Sequence, residues 1–230
     1  MKEWGFEYHG TKTTPNGREE VYIRDFTPKF NVENPKLTFP FLSRKANIFM
    51  VPIWPAYHTE LLPDSILTTE SPYDFVENQP HRNAISKVYL SRSFVKDVAR
   101  GDTLVFYRTA AQDRSAYYSS VITTLAIAEG IIDNITNEND FILKCRKRSI
   151  FSDAELSKWW NFKPQYRPFI INFLYTHSFP TGHRINRQKL LELGVLSGEE
   201  NEIRGLKKIS QEQFQSILKE SRTDESLIVD

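Results

Sequence analysis

The sequence has a single cysteine, Cys145, in 230 residues. That excludes a disulfide framework and a cysteine-rich zinc site. Nine glycines stand singly and none forms Gly-x-Gly, so no glycine loop of the phosphate-cradling kind is present. No apolar run approaches the roughly 20 residues of a membrane span, and the opening Met-Lys-Glu-Trp-Gly-Phe has no apolar signal core. Charge of one sign is missing too: 30 basic against 29 acidic residues leave +1. A nucleic-acid-binding surface would therefore have to be local. Histidines at 9, 58, 81, 177 and 183 show no His-x-x-x-His spacing, and there is no Gly-x-Ser-x-Gly elbow or Walker loop. The expectation is a soluble cytoplasmic protein with no metal, no cofactor and no nameable catalytic residue of its own.

What is present is ample apolar and aromatic material, 40% and 13% of the chain, with a lean towards β structure. Residues 4–10 and 20–26 are aromatic, alternating runs around Thr13-Thr14-Pro15-Asn16-Gly17, which predicts a β-hairpin. Three prolines make 27–46 an extended linker. Strands are predicted at Ile48–Ile53, Lys87–Ser91, Thr103–Tyr107, Ser119–Ile131 and Phe169–Phe179. The stretch Trp54–Asn78, broken by Pro55, Pro63 and Pro72, is loop-like, and its length implies a functional loop or one that contains a short helix. Asn137 caps a helix running to Arg148. Ser152-Asp153-Ala154-Glu155 and Ser210-Gln211-Glu212-Gln213 are capping boxes, and Gly194 stops a short helix over Asn186–Leu193. The tail Ser221–Asp230 reads as polar and frayed.

The most informative segment is 101–132. Gly101 can take positive φ before a strand and Asp102 can bond the turn backbone. The blurred alternation of Leu104-Val105-Phe106-Tyr107 predicts a strand covered on both faces. Gly101-Asp102-x-x-x-Phe106-Tyr107, followed by Ala126-Ile127-Ala128-Glu129 and preceded by His81-Arg82-Asn83-Ala84, resembles the PUA-like barrels, in particular their EVE and ASCH branches. The resemblance spans about residues 47–178. It implies an α+β fold, a mainly antiparallel barrel of five or six strands with helices outside it, whose two signature strands wall a pocket for a base or nucleotide. The hairpin, Trp4-Gly5-Phe6 through Asn16-Gly17 to Val21-Tyr22-Ile23-Arg24, is similar to the last hairpin of GNAT acetyltransferases. The acetyl-CoA-binding loop of that family is not present. The implied organisation is a hairpin and Pro-rich linker over 1–44, a barrel over 45–180 and a helical extension over 181–230.

Base recognition needs flat apolar surface for stacking and amide or hydroxyl groups for the ring edge. Trp54, Tyr57, His58, Asn83, Tyr107, Arg108, Thr109, Tyr117 and Tyr118 have those chemistries. From these we select Trp54 and Tyr107 for stacking, Asn83 for edge reading and Arg108 for a phosphate contact, with Thr109 beside them. Tyr107 and Trp54 serve equally as packing residues, and Asn83 as a turn former. Phosphate contacts would come from Arg92, Arg146 and Arg148, with Lys96 and Arg100 also flanking the pocket. The cations of 144–148 suit a solvated helix end just as well. Tyr57-His58-Thr59-Glu60 is an acid–base quartet that in a Pro-bounded loop reads as surface or capping groups.

Two functions follow. One is a non-catalytic module that binds RNA or modified DNA and recognises a base or modified base. The other is the accessory, substrate-recruiting part of a GNAT-type acetyltransferase whose catalytic half lies on a separate chain.

Overall fold

The computed structural model describes residues 1–71, 81–199 and 202–230. The fold is mixed α+β, with a sheet-rich core and six α-helices among the described residues. Chain order begins with β1 (Phe6–Thr14) and β2 (Gly17–Arg24), then β3 (Leu42–Ser43), β4 (Ile48–Ile53), α1 (Pro55–Leu61), β5 (Ser86–Ser91) and β6 (Thr103–Arg108). It continues through α2 (Ala116–Ser119), β7 (Val121–Ile132), α3 (Glu138–Cys145), α4 (Asp153–Asn161), β8 (Phe169–Ser178), β9 (Ile185–Asn186), α5 (Arg187–Glu192), β10 (Lys207–Ile209), α6 (Gln211–Glu220) and β11 (Ile228–Val229).

The main sheet runs β10-β4-β6-β7-β8-β5, with β9 on the edge of β7. Its pairs are antiparallel except β4–β6. The expected barrel is not closed by backbone bonds among the described residues, since the path has ends at β10 and β5. A side chain spans the gap instead: the Tyr89 hydroxyl on β5 donates to the Pro52 carbonyl on β4. The sheet is thus strongly curled, with two faces.

Its inner face holds Phe49, Val51, Leu104, Phe106, Ala126, Ile171 and Phe173, capped by Leu61 and Leu62. Its outer face holds Met50, Val105, Tyr107, Leu125 and Ile127 under Leu190, Phe214, Ile217 and Leu218 of α5 and α6. Helices α3 and α4 cover β5 with Phe141, Cys145, Leu156 and Trp160. This two-sided cover accounts for the full burial of Thr103–Tyr107.

Local signals placed several elements. Gly101 has φ +88, and Asp102 accepts from Ala99 N at 2.8 Å and from Asn47 N at 3.0 Å, which locks the turn into β6. Both capping boxes and the Asn137 cap are formed, and Gly194 ends α5 at φ +68. In the hairpin, Thr14 pairs with Gly17, so Pro15 and Asn16 make the turn and Gly17 takes φ +123 beside it.

Two readings need correction. Segment 27–46 is a packed strap rather than an extended linker, because Leu42 is fully buried and a 3-10 helix forms at Pro35–Thr38. The tail is not frayed: Ile228 and Val229 form a parallel ladder with Leu42 and Ser43. Helix α1 and a 3-10 helix at Pro63–Ser65 fill the first part of the expected loop, while Pro72 and Asn78 lie outside the described residues.

Candidate functional site

Register puts one end of the sheet together. Ile53 pairs with Arg108, Arg108 with Val121, Thr124 with Ser178, and Ser86 with Leu174. Alternation sends Arg108, Thr124, Tyr175 and Lys87 to the inner face of that end, and the extra residue Thr176 on β8 brings Ser178 to the same face. The inner face changes there from apolar to polar, under a lid made by α1 and residues 62–71.

Two bulges aim the groups, one in the β6–β7 ladder and one in the β7–β8 ladder, where Thr176 is extra opposite Leu125 and Ala126. Between Phe106 and Tyr107 the β6–β7 ladder slips, leaving Thr123 as the extra residue, and a bulge re-aims a side chain. Its hydroxyl lies 2.8 Å from His58 Nε2. From there a continuous chain of hydrogen bonds crosses the lid. Glu70 Oε2 accepts from the Thr59 hydroxyl at 2.7 Å, so the Thr59 oxygen accepts from His58 Nδ1 at 3.2 Å. His58 Nε2 is then the acceptor for Thr123. Thr124 lies 3.2 Å from Thr123, and Ser65 lies 2.6 Å from Thr124 and 2.8 Å from Ser178. An ionised carboxylate only accepts, so Glu70 fixes the direction of the chain and the tautomer of His58. The same carboxylate holds Arg108 Nη2 at 3.0 Å.

Burial, with Arg108 and Arg184 nearby, pushes His58 down to about 3. The imidazole is therefore neutral at pH 7 and is a structural hydrogen-bonding group. Lys87 is buried, its Nζ donating to the His81 and Arg82 carbonyls, and burial lowers it to about 8. Tyr175 is pushed up to about 12 by burial, beside Ser65 and Asp64. Among the described residues its hydroxyl and Arg108 Nε are buried without a formed hydrogen bond. Buried polar atoms in this condition are rare and call for a partner. His81 Nε2 lies 3.5 Å from a Glu60 oxygen.

The residues selected from sequence divide. Trp54 is 65% exposed at the N-terminus of α1. Asn83 is exposed in the turn before β5. Arg108 is at the same end but already paired. Thr109 extends the ladder, its N–H and hydroxyl both donating to the Ile53 carbonyl. Tyr107 is 3% exposed on the outer face, among core residues, so its ring fills the core and is not presented for stacking. Exposed Tyr117 and Tyr118 lie on α2, just before β7 at the same sheet end.

Arg148 donates to the Ser86 carbonyl at that end, whereas Arg146 is exposed and paired with Asp153 at 2.6 Å. Arg92 does not flank this end. It follows Ser91, which pairs with Phe169 at the far end of β8, and its guanidinium donates to the Trp159, Phe162 and Tyr166 carbonyls. Lys96 and Arg100 are at the far end as well.

Sequence reasoning missed His58 as a buried group, and with it Ser65, Glu70, Lys87, Thr123, Thr124, Tyr175 and Ser178. Two signals were available. Lys87 interrupts an apolar strand, and adjacent Thr123-Thr124 breaks alternation where the bulge occurs. Beside this end lies an open cleft of about 510 Å³ with Arg184, Lys189, Lys219 and Arg222 in its walls beside the Glu220 carboxylate, which is 3.9 Å from Lys189 Nζ. Among the described residues no group of three or more His, Cys, Asp or Glu side chains could hold a metal ion. No described helix is long and apolar enough to cross a membrane.

No family model matches the chain, and no curated protein matches it. Two solved structures are similar in part. A crystal structure of a mutant of ZmASCH from Zymomonas mobilis aligns at TM-score 0.49 and 13% identity, over 75% of this chain and 94% of that one. The N-terminal domain of Thermococcus gammatolerans McrB bound to m5C DNA aligns at TM-score 0.38 and 11% identity, over 75% of this chain and 95% of that one. At these scores the likeness decides nothing about function, and the reading that follows rests on the side chains.

Proposed function

We propose that this chain is a non-catalytic nucleic-acid-binding module of PUA-like type, with the organisation 1–44, 45–180 and 181–230. It takes a base or modified base of RNA or DNA at the polar end of the curled sheet. One observation carries the reading: the same sheet end joins exposed rings to buried polar atoms, Arg108 Nε and the Tyr175 hydroxyl, that form no hydrogen bond among the described residues. A nucleobase offers what such a site lacks, a flat face for stacking and an edge of donors and acceptors. Trp54 supplies the stacking face and Asn83 the amide for the edge. Arg108, held by Glu70, is a fixed charge beneath the base rather than a phosphate ligand. Arg148 and the cations of the adjoining cleft, Lys189, Lys219 and Arg222, meet the backbone.

Fluorescence anisotropy with 20-nucleotide single-stranded DNA and RNA, with and without base modifications, tests this. Trp54→Ala should weaken binding by ~1–3 kcal/mol with little change in salt dependence. Asn83→Ala should reduce discrimination between bases. Failure of the parent to bind any of these probes overturns the reading, as does unaltered binding by both variants.

A second reading, the accessory part of a GNAT-type acetyltransferase, draws on the hairpin. Strands β1 and β2 form a sheet of their own among the described residues, with Tyr8 and Ile23 about half exposed. Free strand edges suit strand addition by another chain.

A further inference from the structure

At the far end of the sheet from Trp54, residues 92–96 form a loop without regular structure that is nevertheless pinned. The Ser91 hydroxyl accepts from Ser93 N at 3.0 Å, and the Ser93 hydroxyl accepts from Val95 N and Leu206 N, each at 3.1 Å. Gly205 allows this approach, since a Cβ there would stand 2.7 Å from Ser93 Oγ. The pinned loop turns Val95 inward and leaves Phe94 91% exposed. Single exposed apolar residues are ordinary, but this one has company. Phe94 meets Tyr166 edge-on at 6.3 Å, and Tyr166 and Phe162 are themselves exposed.

Phe94 and Tyr166 rim a cleft of about 300 Å³ that Phe169 and Trp160 also line. Arg92, Lys96 and Arg167 line it, against one carboxylate, Asp133. Arg92 and Arg167 spend donors on backbone carbonyls, which fixes their planes over Trp159 and Trp160 without neutralising their charge. Lys96 Nζ lies over the Phe169 ring at 5.4 Å. Exposed rings beside net positive charge are the chemistry of a stacking platform for single-stranded nucleic acid.

We infer that this cleft is a second nucleotide subsite. One base of a single strand stacks on Phe94 and Tyr166, and its phosphate meets Lys96 and Arg167. The inference extends the proposed nucleic-acid function: the strand read at the Trp54 end is also gripped here. The ten residues of β8 separate the two ends, roughly 30 Å at strand rise, or roughly nine nucleotides at 3.4 Å each.

Phe94→Ala and Lys96→Ala test it by anisotropy with a single-stranded 20-mer and 4-mer. Both side chains project into solvent, so the variants should retain the parent's circular dichroism and unfolding midpoint. The expected result is about a tenfold weaker 20-mer for Phe94→Ala, a shallower salt dependence for Lys96→Ala, and a parent preference for the 20-mer over the 4-mer. If both variants bind the 20-mer as the parent does while Trp54→Ala weakens it, this subsite is wrong and the Trp54 site stands. If they weaken binding while Trp54→Ala and Asn83→Ala do not, the subsite stands and the Trp54 site falls. A parent that binds no strand overturns both.

Discussion

Glu70 and Arg108 are 38 residues apart in sequence and 3.0 Å apart in space, with both side chains mostly withdrawn from solvent. The pair ties the lid to the end of β6. Glu70 also accepts from Thr59 and from Leu67 N, so one carboxylate sets the lid's conformation and the direction of the hydrogen-bond chain beneath it.

Breaking this pair by removing one partner leaves a charge in a poorly solvated place. Arg108→Met should cost about 3 kcal/mol. Glu70→Gln should cost at least as much, because it also disturbs the acceptor at Thr59. Guanidinium chloride unfolding measures both, and losses under about 0.5 kcal/mol would show the lid to be held by other contacts.

His58 should make the protein acid-sensitive. Its folded value of about 3 lies below the ordinary 6.5, so between those values the unfolded chain binds a proton that the folded chain does not. Stability therefore falls as pH drops through that window, by up to about 1.4 kcal/mol per unit from this group. In His58→Gln that component should vanish. The two proteins should differ less at pH 4 than at pH 7 in denaturant midpoints. Parallel pH profiles would contradict the burial of a neutral imidazole.

Lys87 predicts the alkaline side. Its folded value, about 8 against 10.5 when free, means the unfolded chain holds the extra proton between those two values. Its contribution to stability should rise as pH increases from about 8 to 10.5. Lys87→Met should lack this rise. The difference between the two proteins across that range is the measurement, and its absence would mean the ammonium is solvated.

Tyr107 and Trp54 should separate cleanly in stability. Tyr107→Ala removes a core ring and should cost about 3–5 kcal/mol. Trp54→Ala, at an exposed position, should stay within about 0.5 kcal/mol. Thermal and chemical unfolding distinguish them, and a marginal loss at Tyr107 would return its ring to the list of available stacking surfaces.

Acetyl-CoA should not bind the chain by itself, since no glycine loop exists to present backbone N–H groups to its pyrophosphate. Calorimetry at about 1 mM ligand should be silent. Micromolar binding would require a phosphate site of another construction and would favour the acetyltransferase reading.

Much of the framework was legible because it is written locally. Capping boxes at Ser152 and Ser210, the turn at Gly101-Asp102 and the hairpin at 13–17 depend on residues within a few positions of one another. The strand ranges followed from apolar runs that any fold would bury. Less legible was the status of each candidate site residue. Tyr107 and Arg108 are neighbours on one strand, yet alternation sends the tyrosine into the outer core and the arginine to the inner polar end. Arg92 and Arg108 both sit at strand ends near aromatic residues, but antiparallel pairing of β5 with β8 puts them at opposite ends of the sheet.

The sequence alone determined the positions of most strands, caps and turns, because those depend on residue type and short-range geometry. Tertiary structure decided which polar groups meet. Two bulges and the lid after β4 bring Ser65, Thr123, His58 and Glu70 into one chain of hydrogen bonds, and the curl of the sheet buries Lys87 and Tyr175 beneath it. Those juxtapositions depend on ladder register and on segments distant in sequence, and a one-residue change in register would send each side chain to the other face.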